Sequence, residues 1–286
     1  MSRLSQFYSG STSGFIDVEI FLVAGGGGGG VNGPGGSPQG FYAGSGGGGA
    51  VYYGVVSLAP GTTCQIQIGA GGQGNDKWDT TVGTFHGFNG GTTAFRTPTT
   101  VYRVIGGGGG GGSFAVGTKG GCGGGDHGSR PLYDPAYSGI PSEGNTTPEA
   151  RAGGSFYDWS GNRNGYNQDV TAGNALPLKG GMLCGYGGGG TYSGSWNNQG
   201  GGGAGGGPYG QYGGFGVYTH LEGHQSSRGY VYGQGGTGGF NQDGLENRGQ
   251  GGSSSAWIYY YAGGKGRGYN GGSGVVMVNY PNAFGT

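Results

Sequence analysis

His220, Glu222 and His224 stand in the stretch HLEGH, two imidazoles and a carboxylate within one short span. That is the density of donors a metal centre or an acid–base pair would use. The order is not H-E-x-x-H, which places its two histidines on one helical face, and the surrounding glycines exclude a helix. The stretch therefore reads as a solvated loop, and no metal is expected. Asp126, His127 and Asp134 could trade protons, but no nucleophile is set beside them. G-x-G-x-x-G recurs only because glycine is everywhere, and GGKGRG at 263–268 follows an aromatic run rather than a strand. No nucleotide cofactor is expected, and the chain is not expected to be an enzyme. Cys64, Cys122 and Cys184 are odd in number and widely spaced, so they read as small packing residues. Arginine–glycine steps at Arg228, Arg248 and Arg267 bring RNA-binding tracts to mind, but 13 basic residues are balanced by 13 acidic ones. A nucleic-acid surface needs a basic excess to displace counterions.

Aromatic residues carry a clearer signal. The sequence holds 21 Tyr, 12 Phe and 4 Trp with only 9% charged residues, which a solvated coil would not. Many cluster in polar segments. Trp78, Phe85 and His86 lie in 75–89, Tyr192 and Trp196 in 191–199, Tyr218, Tyr230 and Tyr232 in 217–232, and Trp257, Tyr259 and Tyr260 in 253–262. Tyr and Trp supply rigid contact area with a polar handle, and the Ser, Gly and Asn around them adapt. That is the composition of a recognition surface. These eleven residues are the candidate receptor-contacting set. The competing role is to cap the outer faces of a glycine framework that has few side chains of its own.

Such segments need a rigid support, and almost no window of the chain is free of Gly or Pro long enough for a helix. Strand patterns do occur. Phe15–Ala24 alternates, with Ile16, Val18, Ile20 and Leu22 on one face. AVYYGVVSL and CQIQIGA flank a Pro60-Gly61 turn and read as a hairpin; TTAFRT and TVYRVI flank Pro98 in the same way. GVVMVNY, ending at Tyr280, closes the set, which together predicts a small antiparallel sandwich.

Between the strands lie glycine runs at 25–30, 46–49, 106–112, 120–125, 187–190 and 200–207. Collagen is excluded, because no Gly-X-Y period exists and prolines number 11. Glycine can form a left-handed threefold rod without internal hydrogen bonds, its backbone groups pointing outward. Rods packed side by side can bond laterally, and only glycine fits between them. Ordering a glycine costs about 0.5–1 kcal/mol more than ordering alanine. A net gain of about 1 kcal/mol per hydrogen bond offsets this only if nearly every glycine N–H is bonded. The expected fold is therefore mainly β and irregular: a polyglycine-II sandwich with the small β-sandwich at its base.

If each run crosses the molecule once, 120–125 descends and 126–179 begins at the base. On the same count the 208–212 turn lies at the base, and the segments 75–89, 191–199, 217–232 and 253–262 meet at the far end.

The order IDVEIFLVAGGGGGG, GVVSLAPGTTCQIQIGAGGQG, GGTTAF, VIGGGGGGG and GGSGVVMVNY resembles the glycine-rich domain of bacteriophage tail proteins and is similar to polyglycine-II tail-fibre tip adhesins. It covers about Phe15 to Tyr280. The resemblance implies a virion protein at a tail-fibre tip, with loops at one end contacting a host receptor, either a glycan or an outer-membrane protein. It implies other tail or fibre proteins as partners and is compatible with an oligomer. A purely structural virion component, such as a capsid fibre or decoration protein, is the rival reading, and a related domain also occurs in animal receptor ectodomains. The chain reads as one domain, 1–286, with an arm at 1–14, strands and first glycine runs at 15–125, an insertion at 126–179, and the remaining runs, loops and closing strand at 180–286. No run of apolar residues is long enough for a membrane-spanning helix. The N-terminal stretch lacks the apolar core of a Sec signal, so the Asn145 sequon is expected to be unused.

Overall fold

Alternating β-branched and aromatic residues, with glycine runs breaking them, allow strands and little else. A computed structural model describes residues 2–4, 14–31, 43–76, 86–112, 117–125, 150–152, 155–157, 163–165, 176–177, 181–184, 200–205, 212–219, 221, 230–239, 241–254 and 267–280, and no α-helix occurs among them. The strands are β1 (Ser2–Leu4), β2 (Ile16–Val23), β3 (Val51–Leu58), β4 (Cys64–Gln67), β5 (Thr93–Arg96), β6 (Val101–Val104), β7 (Ala150–Ala152), β8 (Ser155–Tyr157), β9 (Arg163–Gly165), β10 (Leu176–Pro177), β11 (Gly181–Cys184), β12 (Val217–Tyr218) and β13 (Val275–Asn279).

Two sheets carry the core. One has the order β13-β2-β3-β11-β7 and the other β1-β4-β5-β6. Val18, Ile20 and Leu22 share a core with Cys64, Phe95 and Val104 from the second sheet, and Tyr52 stacks on Tyr102 with ring centroids 5.8 Å apart. The closing strand pairs as the sequence implies, antiparallel to β2 from Val275↔Val23 to Asn279↔Glu19. The hairpin around Pro98 is also present, from Thr93↔Val104 to Arg96↔Val101.

The expected hairpin around Pro60-Gly61 is not. β3 pairs with β2 and β11, so both its edges are taken, and β4 pairs with β1 and β5 in the other sheet. The turn is present nonetheless: Thr62 N–H donates to the Ala59 carbonyl at 3.1 Å, and Gly61 has φ +77°, as the third position of a type II turn requires. It carries the chain from one sheet to the other. Nor is every pairing antiparallel, since β7 lies parallel to β11, and β10 parallel to β12.

On β2, Phe21 and Val23 are as fully buried as Val18, Ile20 and Leu22, while Ile16 at the strand's start is half-buried. Tyr232 covers that second face, its ring edge-on to Phe21 at 5.2 Å between centroids. Lower on the same face, the Tyr53 hydroxyl donates to Glu19 Oε1 at 2.5 Å. Burial first, and then the Glu19 carboxylate, push the Tyr53 hydroxyl up to about 12. A phenol whose folded pKa lies above its unfolded value near 10 favours folding fully below pH 10, and that contribution is lost as pH rises through 12. Stability is therefore expected to fall between pH 10 and 12, and Tyr53→Phe to remove part of that fall. Denaturant midpoints followed across this range check it.

From the β2 end, glycine segments run away from the sheets and bond sideways. Gly25 and Gly28 donate to Gly91 and Phe88, Gly26 and Gly29 to Gly272 and Tyr269, and Gly27 and Gly30 to Gly47 and Gly44, all at 2.8–3.0 Å. The partner changes with each residue and returns every third. All three of these neighbours run antiparallel to 25–30. The carbonyls of the same segment accept from Gly107 and Gly110, from Gly72 and Asn75, and from Gly252, on three segments that run parallel to it. Segment 43–50 is enclosed similarly, bonded to 105–111, 249–252, 202, 27–30, 122–125 and 236. An added Cβ would lie 2.1 Å from the Gln73 carbonyl at Gly28 and 2.3 Å from the Cys122 carbonyl at Gly47. The described parts of the runs at 25–30, 46–49, 106–112, 120–125 and 200–207 are thus ordered and bonded laterally; the run 187–190 lies outside the described residues.

The path departs from one crossing per run in two places. Thr118 bonds level with Gly109 and Gly121 with Gly106, whereas Gly108 donates to the Cys122 carbonyl and Gly111 to that of Gly125. The chain therefore descends to Gly121, bends at Cys122 and rises to Gly125. Cys122 holds the bend, fully buried, its N–H on the Gly48 carbonyl at 3.1 Å and its Sγ 3.8 Å from that of Gly49. Residue 126 accordingly follows from the end far from the sheets, not from the base. The second departure is at 212–216, which runs in the same direction as 200–205: Gly200 stands beside Tyr212, and Gly205 donates to the Phe215 carbonyl. Tyr212 is therefore distal rather than in a basal turn, and Val217 arrives at the sheet end.

Candidate functional site

Register alone locates the end opposite the sheets. Gly30 bonds level with Gly44, Gly44 with Gly111, and Asn75 with Gly29. Where the glycine runs stop, small polar side chains add hydrogen bonds to those that the backbone still makes. The Ser254 N–H and the Ser45 hydroxyl bond each other at 3.1 Å, and the two hydroxyls lie 3.3 Å apart. Asn75 donates its side-chain amide to the His86 carbonyl at 2.9 Å, while its own carbonyl receives the Gly268 N–H at 2.8 Å. Ser45, Asn75, Ser253 and Ser254 are all buried. They form a polar seam that fixes the far end, and the sequence reading passed over them. Their signal was a small polar residue closing a glycine run, as in GSGGGG, GGQGND and GGSSS.

This seam gathers the ends of several segments. Val31 and Ala43, Asp76 and His86, Gly112 and Gly117, and Ser254 and Arg267 all lie at the far end, as do Gly125 and Gly200. The stretches 77–85 and 255–266, which hold Trp78, Phe85, Trp257, Tyr259 and Tyr260, are thus anchored there at both their ends. The stretch holding Tyr192 and Trp196 is anchored there by Gly200. Those seven residues themselves lie outside the described residues.

Of the described candidates, His86 is at the far end and the other three are not. Val217 and Tyr232 exchange backbone hydrogen bonds beside the sheet, at 2.9 and 2.7 Å. Tyr232 is only 3% exposed and belongs to the core. Tyr218 and Tyr230 are exposed, with the Arg248 guanidinium 3.9 Å from the Tyr230 ring centroid, but at the sheet end. The described ends of 217–232 therefore lie at the sheet end, apart from the far-end anchors of the other segments. The expected count failed because 212–216 descends in register with 200–205, which brings Val217 to the sheet end, where Tyr232 bonds to it.

No cluster of His, Cys, Asp or Glu suited to a metal exists among the described residues. Cys64 and Cys122 are buried, and burial raises the Cys64 thiol above its ordinary value, so both suit packing better than nucleophilic chemistry. Cys64→Ser and Cys122→Ser are expected to leave surface binding unchanged while lowering stability. Paired binding and unfolding titrations check this.

Mainly strand, with small sheets feeding a field of laterally bonded glycine segments, the described residues define a glycine-rich fold. The chain belongs to the glycine-rich domain family, whose model matches residues 5–281. No curated protein matches it.

Proposed function

We propose that the chain is a phage virion protein, the receptor-binding tip of a tail fibre, which attaches to the host cell surface through the segments gathered at the far end. In this reading the glycine segments are polyglycine-II rods, supported by hydrogen-bond partners that return every third residue and by the absence of room for a Cβ. The observation that carries the functional reading is the shared anchoring of 77–85 and 255–266 at one end of this rigid field, opposite the sheets. Aromatic-rich segments on a stiff support lose little entropy on binding. The host receptor, a glycan or an outer-membrane protein, would meet that end, and neighbouring tail or fibre proteins would hold the sheet end.

The test is competition: purified chain is added to host bacteria before the phage that carries it. A dose-dependent fall in adsorption is expected. Failure of the chain to bind cells or to slow adsorption would favour the structural virion role instead.

A further inference from the structure

Along the flank of the glycine field lies an open groove of about 560 Å³. Its floor is segment 267–274, and its walls are 69–76 and 241–246. Each contributes side chains at every third position: Gln73 and Asp76 from one wall, Asp243 and Glu246 from the other, Arg267 and Asn270 from the floor. Threefold spacing turns these residues to one side, while most intervening positions are glycines packed on neighbouring segments. Segments 25–30, 69–76, 241–246 and 249–254 occupy the other positions around 267–274 through backbone bonds or close packing. The groove is the position between 69–76 and 241–246 that no segment fills among the described residues.

The groove is also preformed. Asn270 donates its N–H to Asp243 Oδ1 at 2.7 Å and accepts the Gly74 N–H on its own Oδ1 at 2.9 Å, tying wall to wall across the floor. Carboxylates, amides and a guanidinium set along one line offer both acceptors and donors. Among the described lining residues Ala70 alone carries an apolar side chain, so they offer no large apolar anchor for a protein partner. Three carboxylates against one guanidinium disfavour a polyanion, and no metal-holding cluster occurs among the described residues.

We propose that this groove binds a neutral oligosaccharide, extended along the segment axis, with its hydroxyls on Gln73, Asp76, Glu246 and Arg267. The groove reaches the far end at Asp76 and Arg267, but sugar binding is read in solution and does not depend on attachment to the host.

The test is calorimetric titration of the whole chain with maltohexaose, cellohexaose, mannohexaose and chitohexaose. At least one is expected to bind. Gln73→Ala and Glu246→Gln should each weaken that binding about three- to tenfold, as expected for one hydrogen bond, with thermal unfolding unchanged. Tyr218→Ala, at the sheet end and away from the groove lining, should leave it unaltered. Absence of binding by all four sugars would overturn the proposal, as would undiminished binding in the Gln73→Ala/Glu246→Gln double variant. Displacement of the sugar by hexalysine at low salt would assign the groove to a cationic peptide and overturn it equally.

Discussion

Gly28→Ala is expected to destabilise the protein by about 3 kcal/mol or more, at the upper end of what overpacking does. The added methyl carbon would stand 2.1 Å from the Gln73 carbonyl oxygen, a backbone atom with no rotamer to change. Gln73 cannot retreat easily, since its carbonyl accepts the Phe88 N–H at 2.9 Å and Phe88 is itself bonded to Gly28. Relief at one contact therefore disrupts the next. Gly47→Ala should behave alike, meeting the Cys122 carbonyl at the bend. For a chain of this size the loss corresponds to a fall in Tm on the order of 10 °C. Gly14→Ala is the control: no atom lies within 4 Å of its added Cβ, and its stability should match that of the parent. Thermal unfolding of the three variants checks the argument. Equal melting of Gly28→Ala, Gly47→Ala and Gly14→Ala would mean that the interior is not close-packed.

Alanine at Trp78, Trp196 or Trp257 is expected to weaken host-cell binding about 30-fold or more, the scale of a buried aromatic anchor, with unfolding unchanged. Tyr218→Ala and Tyr230→Ala should leave binding intact, because both residues lie at the sheet end. Tyr232→Ala should separate from all of these. It removes the ring that covers Phe21 and is expected to cost about 3–5 kcal/mol of stability. Binding isotherms to intact cells, read beside urea unfolding, distinguish the three groups. Equal losses at Trp257 and Tyr218 would place the contact surface elsewhere.

Much of the scaffold was legible because glycine and strand patterns are local signals. Phe15–Ala24 announced β2 by alternation, and the close spacing around Pro98 announced the β5–β6 hairpin. The need of every glycine N–H for a partner announced lateral bonding before any partner could be named. What escaped was long-range. The Pro60-Gly61 turn looks the same whether it joins strands of one sheet or two, and the outcome depended on β2 and β11 occupying both edges of β3. The bend at Cys122 interrupts a run of glycines by one residue, and nothing local distinguishes a bend from a continuous crossing. That reversal moved residue 126 to the far end, and the parallel descent of 212–216 put Tyr218, Tyr230 and Tyr232 at the opposite end from the one expected. The groove along 267–274 was legible in principle, as Gln73-x-x-Asp76, Asp243-x-x-Glu246 and Arg267-x-x-Asn270. Recognising it required knowing which segments become neighbours.

The central claim is that the end opposite the sheets meets the host. A photo-crosslinking side chain at exposed Gln242, near that end, and another at exposed Thr99, in the β5–β6 turn, test it most directly. After binding to host bacteria and illumination, the account predicts covalent capture of cell-surface material from Gln242 and none from Thr99. Capture from Thr99, with Gln242 silent, would contradict it.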